Sequence, residues 1–155
     1  MRGRRADGAV DIMKKLLFSA EGRIGRATFW KGILGSVFGA IIVASALNYV
    51  LAQMIPNEAA AGEGFKVDGP AAIPFVILNL LTTVFIVWSS VCLGIKRYHD
   101  RDKPGVWVLL SLIPLGNLWY FIETGFLRGT VGPNTFGPDP RGRGLATSAG
   151  LSPAI

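Results

Sequence analysis

The residues with the most distinctive chemistry in this chain are its single cysteine, Cys92, and its single histidine, His99. One cysteine cannot form a disulfide within the chain. A structural zinc site takes four ligands, mostly cysteine and histidine, so this pair is too small for one. A serine–histidine–aspartate triad would have to use His99, which lies in a short charged segment without a nucleophile-elbow sequence. We therefore predict no catalytic residue, no metal site and no cofactor, and a protein that is not an enzyme.

A second group of distinctive residues is charged and lies just outside long apolar runs. Its members are Arg23, Arg26, Arg97, His99 and Asp100. Basic side chains at such positions bind the phosphates of anionic lipid headgroups. Alternatively, Arg23 or Arg26 pairs with Asp100 in a cytoplasmic charge cluster, and such a pair would fix the arrangement of the spans more than it would add stability. Asp100 could also bond the backbone of its own turn, and a lone histidine could sense pH.

The elements that must position these residues are apolar. Half of the 155 residues are hydrophobic and 17% are charged, against about 25% in soluble domains. Residues 32–55, 69–95 and 104–122 contain no Asp, Glu, Lys or Arg, in runs of 24, 27 and 19 residues. A membrane-spanning helix needs about 17–25 apolar residues. These runs exclude a soluble enzyme domain and a disordered chain, and they predict an all-α integral membrane protein with three transmembrane helices.

The net charge of +6 could suggest nucleic-acid binding. The basic residues, however, lie beside the apolar runs, where lipid phosphates and the retention of positive charge in the cytoplasm account for them. We therefore expect membrane lipids with anionic headgroups as partners, and no nucleic acid. Protein partners or a homo-oligomer are also compatible with the sequence.

The chain divides into a membrane domain and two tails. We expect residues 1–12 to form a mobile tail, residues 13–140 a single membrane domain, and residues 141–155 a disordered tail. The domain opens with a short interfacial segment, residues 13–30, in which two glycines argue against one unbroken helix. Residues 57–68 read as a flexible acidic loop. The domain closes with a Gly/Pro-rich loop.

The charged turn at residues 96–103 makes the second and third runs antiparallel neighbours. We expect Asp102 to be the N-cap of the third helix, with Pro104 in its first turn. The third run is the weakest of the three, because Pro114, Gly116 and Asn117 lie at its middle.

The distribution of charge predicts the topology. The segment before the first run and the 96–103 turn are rich in Lys and Arg, which places both in the cytoplasm, with the acidic loop outside. Three full spans then put the C-terminus outside, and this is the arrangement we favour. In the alternative, residues 106–127 enter the membrane and return, breaking at residues 114–117, so that the C-terminus stays in the cytoplasm.

Small residues on the first run suggest close helix packing. Gly35 and Gly39 are four residues apart, with Gly32 and Ser36 beside them. Such a pattern lets another helix approach closely. Its partner could be another run of the same chain or a second copy.

Three stretches in order resemble one known family. Residues 18–30 read FSAEGRIGRATFW, residues 96–100 read KRYHD with PGVW at 104–107, and residues 132–140 read GPNTFGPDP. Together they are similar to the domain-of-unknown-function 805 family of small bacterial inner-membrane proteins, the YhaH-like proteins. The resemblance covers about residues 15–140. It implies a bacterial cytoplasmic-membrane protein and no settled biochemical activity.

These observations lead to two hypotheses about function. The first is a non-enzymatic scaffold or interaction module of the bacterial cytoplasmic membrane, in contact with anionic lipid. The alternative is an oligomeric small transporter or channel subunit for a neutral or small solute. Ion transport usually needs ionisable groups within the spans. Here the spans offer only amides and hydroxyls, among them Asn48, Asn79, Thr82 and Thr83.

Overall fold

The computed structural model describes residues 3–54 and 69–143. Their regular structure is helical, apart from an isolated bridge between Asn134 and Gly137. The four α-helices are α1 (Gly3–Phe18), α2 (Arg26–Gln53), α3 (Ile73–His99) and α4 (Pro114–Gly125). Two 3₁₀ helices, Gly69–Ala72 and Gly105–Leu112, precede α3 and α4. The expected acidic loop at 57–68 and residues 144–155 of the expected C-terminal tail lie outside the described residues.

These residues form two compact units. The first unit contains residues 3–33 and 88–143, and the second contains residues 34–54 and 69–87. The first unit therefore includes the beginning of α2 and the end of α3, together with every candidate site residue that carries a charge.

The first two apolar runs form helices that are long and apolar enough to cross a membrane. α2 has 28 residues, and the first 3₁₀ helix and α3 together have 31. A helix the length of α2 measures about 42 Å, against a hydrocarbon core of about 30 Å. Large apolar side chains of both helices are exposed, among them Phe38, Ile42 and Leu80. Such surfaces are stable against lipid rather than water, so the prediction of these two spans is confirmed as far as length and composition define a span.

α1 begins earlier than the sequence suggests. It starts at Gly3 and so includes most of the segment that was expected to be a mobile tail. The expected break in the interfacial segment is present, because α1 ends at Phe18 and Gly22 has a φ of 85°. Lys96 of α3 donates from Nζ to the carbonyl oxygens of Lys15 and Leu16. A cation is favourable at the C-terminus of a helix, so Lys96 caps α1.

The third apolar run does not form a single helix, so the prediction of three transmembrane helices is not confirmed. The second 3₁₀ helix and α4 have 8 and 12 residues, and they pack against each other. Lengths of about 16 Å and 18 Å are too short to cross a membrane. Between them Ile113 is extended, with φ −102° and ψ 130°. The cause is Pro114, since the residue before a proline is excluded from the helical region.

Asp102 has a different role from the expected one. It adopts a φ of 59°, and its N–H donates to the carbonyl of His99 at 3.1 Å, while Lys103 N donates to Tyr98 O at 3.1 Å. This pair of bonds is a Schellman motif, which ends a helix at a left-handed residue. Asp102 therefore ends α3 rather than beginning the next helix, whose N-cap is Pro104.

The small residues of α2 differ in their surroundings. A Cβ at Gly32 would lie 2.8 Å from Cδ2 of Leu93, whereas a Cβ at Gly35 or Gly39 would meet nothing within 4 Å. Ser36 is buried. Within the described residues, close packing therefore involves Gly32, and the Gly35–Gly39 pair contacts no other helix.

Replacing glycine by leucine at Gly32 and at Gly35 should distinguish the packed position from the open one. We expect Gly32→Leu to destabilise the protein by about 1–3 kcal/mol, because the new side chain overlaps Leu93. Gly35→Leu, on the same helix, should cost nothing and gain helix propensity of up to about 1 kcal/mol. Thermal unfolding of the two detergent-purified variants, followed by circular dichroism, measures the difference. Equal melting temperatures would contradict the packing at Gly32.

Candidate functional site

A buried ion cluster joins the connection between α1 and α2 to the end of α3. Oδ1 of Asp100 accepts hydrogen bonds from Nε and Nη2 of Arg23 at 3.3 and 3.1 Å, and Oδ2 accepts one from Nη1 of Arg97 at 2.6 Å. The side chains of Arg23, Arg97 and Asp100 are 1%, 0% and 4% exposed. We call these three residues the Asp100 cluster.

Asp100 also binds the C-terminal segment through its backbone. Its carbonyl oxygen accepts from N of Thr130 at 2.8 Å and from Oγ1 of Thr130 at 3.1 Å. A Cβ at Gly129 would lie 1.8 Å from Oδ2 of Asp100, so no side chain fits there. The single residue Asp100 thus holds three separate parts of the chain together.

The remaining donors of Arg23 bind carbonyl oxygens of the C-terminal segment. Nη1 donates to Gly132 O at 2.9 Å and to Gly137 O at 3.0 Å, and Nη2 donates to Thr130 O at 2.9 Å. A guanidinium group has five N–H donors. With two of them on Asp100, Arg23 has no donor left for a lipid phosphate.

Arg97 and two neighbours bind the last carbonyl groups of α4 and the residues that follow. Arg97 donates from Nε to Thr124 O at 2.7 Å and from Nη2 to Leu127 O. Arg26 Nη1 donates to Phe126 O at 2.8 Å, and Trp30 Nε1 donates to Gly125 O at 3.2 Å. Carbonyls at a helix C-terminus lack partners within the helix, and positive charge there is favourable. These bonds hold the end of α4 beside the start of α2 and the end of α3.

His99 has a structural environment in this cluster of segments. Its Nδ1 lies 3.2 Å from Gly22 O, and its ring stacks on Phe136 with centroids 3.9 Å apart. Its carbonyl oxygen accepts from Nδ2 of Asn134 at 2.8 Å. His99 therefore joins the α1–α2 connection to the C-terminal segment.

A second ion cluster involves the turn after α3. Oε1 of Glu123 accepts from Arg101 Nε at 3.0 Å and from Lys103 Nζ. Burial raises the pKa of the Glu123 carboxyl, but the hydrogen bonds from Lys103 and Arg101 outweigh it and hold the pKa below its ordinary value. Glu123 Oε2 and the Tyr98 hydroxyl are both buried, with no hydrogen-bond partner among the described residues.

A further ion pair, between Arg143 and Asp139, lies within the C-terminal segment. Arg143 Nε donates to Oδ2 of Asp139 at 2.9 Å, and Arg143 Nη2 donates to Thr130 O at 3.2 Å. The hydrogen bond from Arg143 lowers the pKa of Asp139 to about 2, and backbone N–H donors of Arg141 and Gly132 act in the same direction. Asp139 therefore stays ionised across the physiological range.

The structure brings together four of the five charged site residues expected from the sequence. Arg23, Arg97 and Asp100 are buried together, and His99 lies half-buried beside them. Arg26 instead donates to the carbonyl oxygen of Phe126, the residue after α4, and does not pair with Asp100. Within the described part of the chain, no three His, Cys, Asp or Glu side chains are grouped as metal ligands would be.

The sequence reasoning missed the backbone partners and the Glu123 cluster. Glu123 is the first acid after the third apolar run, and the preceding turn holds Arg101 and Lys103, so a pairing could have been inferred. The Gly- and Pro-rich segment at 132–140 was the available signal for tight turns that present carbonyl groups.

The fold and this site define a small membrane protein whose described residues are helical, with two candidate spans and a compact unit that is rich in basic residues. Residues 17–138 match the family described as "Protein of unknown function (DUF805)". The chain belongs to that family.

Named relatives support the membrane assignment. The chain is 32% identical over 121 residues to the inner membrane protein YhaH of Escherichia coli K12, covering 78% of this chain and 86% of YhaH. It is 27% identical over 122 residues to the inner membrane protein YhaI of the same strain, covering 78% and 85%. The uncharacterized protein YiiR is 26% identical over 152 residues, covering 82% and 89%. No solved structure matches the chain.

The neutralisation of one acid should test the Asp100 cluster. We expect Asp100→Asn to destabilise the protein by about 3–5 kcal/mol, because two buried guanidinium groups lose the one carboxylate that pairs with them among the described residues. Asp102→Asn, two residues away, is the matched control: asparagine tolerates the left-handed conformation and still accepts the bond from Thr135 N. Thermal unfolding in detergent compares the two. Similar losses would show that Asp100 matters only as part of the turn.

Proposed function

We propose that the chain is a two-span protein of the bacterial cytoplasmic membrane with both described ends on the cytoplasmic side. The second 3₁₀ helix and α4 would enter the membrane and return, as in the alternative topology. The bonds from Arg23 to Gly132 and Gly137 support this arrangement. Three full spans would separate those residues by a membrane core of about 30 Å.

The backbone at the break in the third run is compatible with such a segment. Ile113 N donates to Leu110 O at 3.2 Å, and Asn117 N donates to Ile113 O at 2.6 Å. These bonds satisfy two backbone N–H groups at the break, which lowers the free-energy cost of placing it within the membrane. The orientation follows from charge, because residues 13–31 and 96–103 are basic and cytoplasmic segments retain Lys and Arg.

The function that this geometry supports best is a non-enzymatic interaction module on the cytoplasmic surface of the membrane. The observation that carries the proposal is the Asp100 cluster, whose polar groups are used internally to make one rigid body from three chain segments. Basic residues outside the Asp100 cluster are exposed and available to anionic headgroups. They are Lys14, Lys15, Lys31, Arg128 and Arg141.

Proteins are a second class of partner for this module. The open face at Gly35 and Gly39 suits a second membrane helix, from another copy or another protein. A transport function receives less support, because the span hydroxyls bond locally: Thr82 Oγ1 donates to Leu78 O and Thr83 Oγ1 to Asn79 O, each at 2.8 Å.

Cysteine labelling in intact cells should test the topology. Thr135→Cys places a thiol at an exposed position of the C-terminal segment, and we expect it to react with a membrane-impermeant maleimide only after the cytoplasmic side is opened. Ala60→Cys, in the acidic loop, should react in cells whose outer membrane alone is permeabilised.

The parent chain is the control for this labelling, since its only cysteine, Cys92, is 3% exposed. Labelling of Thr135→Cys from outside would contradict the proposed topology and restore three full spans.

A further inference from the structure

A groove of about 370 Å³ lies beside α1, outside the Asp100 cluster's contacts with the C-terminal segment. It is bounded by the second half of α1, the α1–α2 connection and the end of α3. Apolar side chains of Ile12, Leu16 and Ile24 line it, together with the charged residues Lys15, Glu21, Arg23 and Lys96. The donors of Arg23 are already used by Asp100 and the C-terminal segment, so Arg23 offers none to a ligand.

Lys96 gives this groove an incompletely compensated charge. The residue is 4% exposed, and its ammonium group donates to two carbonyl oxygens, of Lys15 and Leu16. An ammonium group has three N–H donors, so one remains. No carboxylate of the described residues lies within salt-bridge distance of Lys96. The C-terminus of α1 compensates this buried charge only in part, because its carbonyl groups are neutral, and an anion in the groove would complete the compensation.

The rest of the lining defines which anion fits. Lys15 adds a second positive charge, and the apolar side chains favour a hydrocarbon chain over a free ion. Glu21 repels a second negative charge, so the lining disfavours polyanions and suits a single phosphodiester. Hydroxyl groups on the ligand could donate to Glu21.

The groove also lies where lipid is present. α1 carries exposed apolar side chains at Val10, Met13 and Phe18, beside Lys14 and Lys15. Such a helix lies in the interface of a membrane, with its apolar side chains among the acyl chains.

We infer that the groove binds one anionic phospholipid, with its phosphodiester at Lys96 and Lys15 and an acyl chain along Ile12, Leu16 and Ile24. This inference rests on the proposed function, because it specifies where the module contacts anionic lipid. Phosphatidylglycerol, which has one phosphodiester and a hydroxyl-bearing headgroup, is the matching probe.

Native mass spectrometry of the full chain in detergent should test the site. Wild-type protein titrated with phosphatidylglycerol should retain one molecule, and should retain phosphatidylcholine more weakly. We expect Lys15→Glu to weaken phosphatidylglycerol binding by about tenfold. The comparison variant, Lys14→Glu, has the same charge change on the adjacent exposed residue, which does not line the groove, and should weaken binding less than Lys15→Glu does. For the acyl chain, Ile12→Ser should weaken binding more than Val10→Ser.

Three outcomes would contradict the proposed lipid site in the groove. Equal effects of Lys15→Glu and Lys14→Glu would mean that lipid is attracted by overall charge alone, which leaves the proposed function intact. Displacement of the lipid by an equal concentration of inorganic phosphate would identify a phosphate site rather than a lipid site. Equal retention of phosphatidylglycerol and phosphatidylcholine would contradict both the lipid site and the anionic-lipid part of the proposed function. The labelling of Thr135→Cys would still test the topology separately.

Discussion

The arrangement of this protein depends on one buried carboxylate between two buried guanidinium groups. Both carboxylate oxygens of Asp100 accept hydrogen bonds. One is bound by Arg23, which precedes α2, and the other by Arg97, near the end of α3. A charge removed from water is stable only when its partners are in place. Because the partners come from distant parts of the sequence, the start of the first span, the end of the second and the segment around Thr130 must assemble together.

The unit that contains Asp100 also contains the C-termini of α1, α3 and α4. Lys96 binds the last carbonyls of α1, and Arg97 binds carbonyls at the end of α4. The negative ends of the helix dipoles are thereby matched with cations. In the proposed topology, the retention of positive charge in the cytoplasm acts in the same direction. The helix ends therefore account for part of the net charge of +6.

The sequence predicted the apolar elements, but not the contacts made by backbone atoms. The two candidate spans could be read from uncharged length. The pairing of Asp100 with Arg23 or Arg26 stood as an alternative to lipid binding, and opposite charges at the ends of two runs did not decide between them. Pro114 marked the break in the third run, yet its length and hydropathy suggested a span, because periodicity does not reveal a segment that folds back on itself. Asp102 was misassigned, since aspartate suits a helix start more often than a left-handed helix end. The choice of the Thr124, Gly132 and Gly137 carbonyl oxygens as acceptors could not be predicted, because every residue has a carbonyl group.

The central claim is that Arg23 and Asp100 act as one unit. A double-mutant cycle with Arg23→Gln, Asp100→Asn and the double variant tests it most directly, with thermal or denaturant unfolding in detergent as the measurement. The two side chains are in contact and share neighbours, so we predict a coupling free energy of about 1–3 kcal/mol. Strictly additive losses, with a coupling within about 0.3 kcal/mol of zero, would contradict the account.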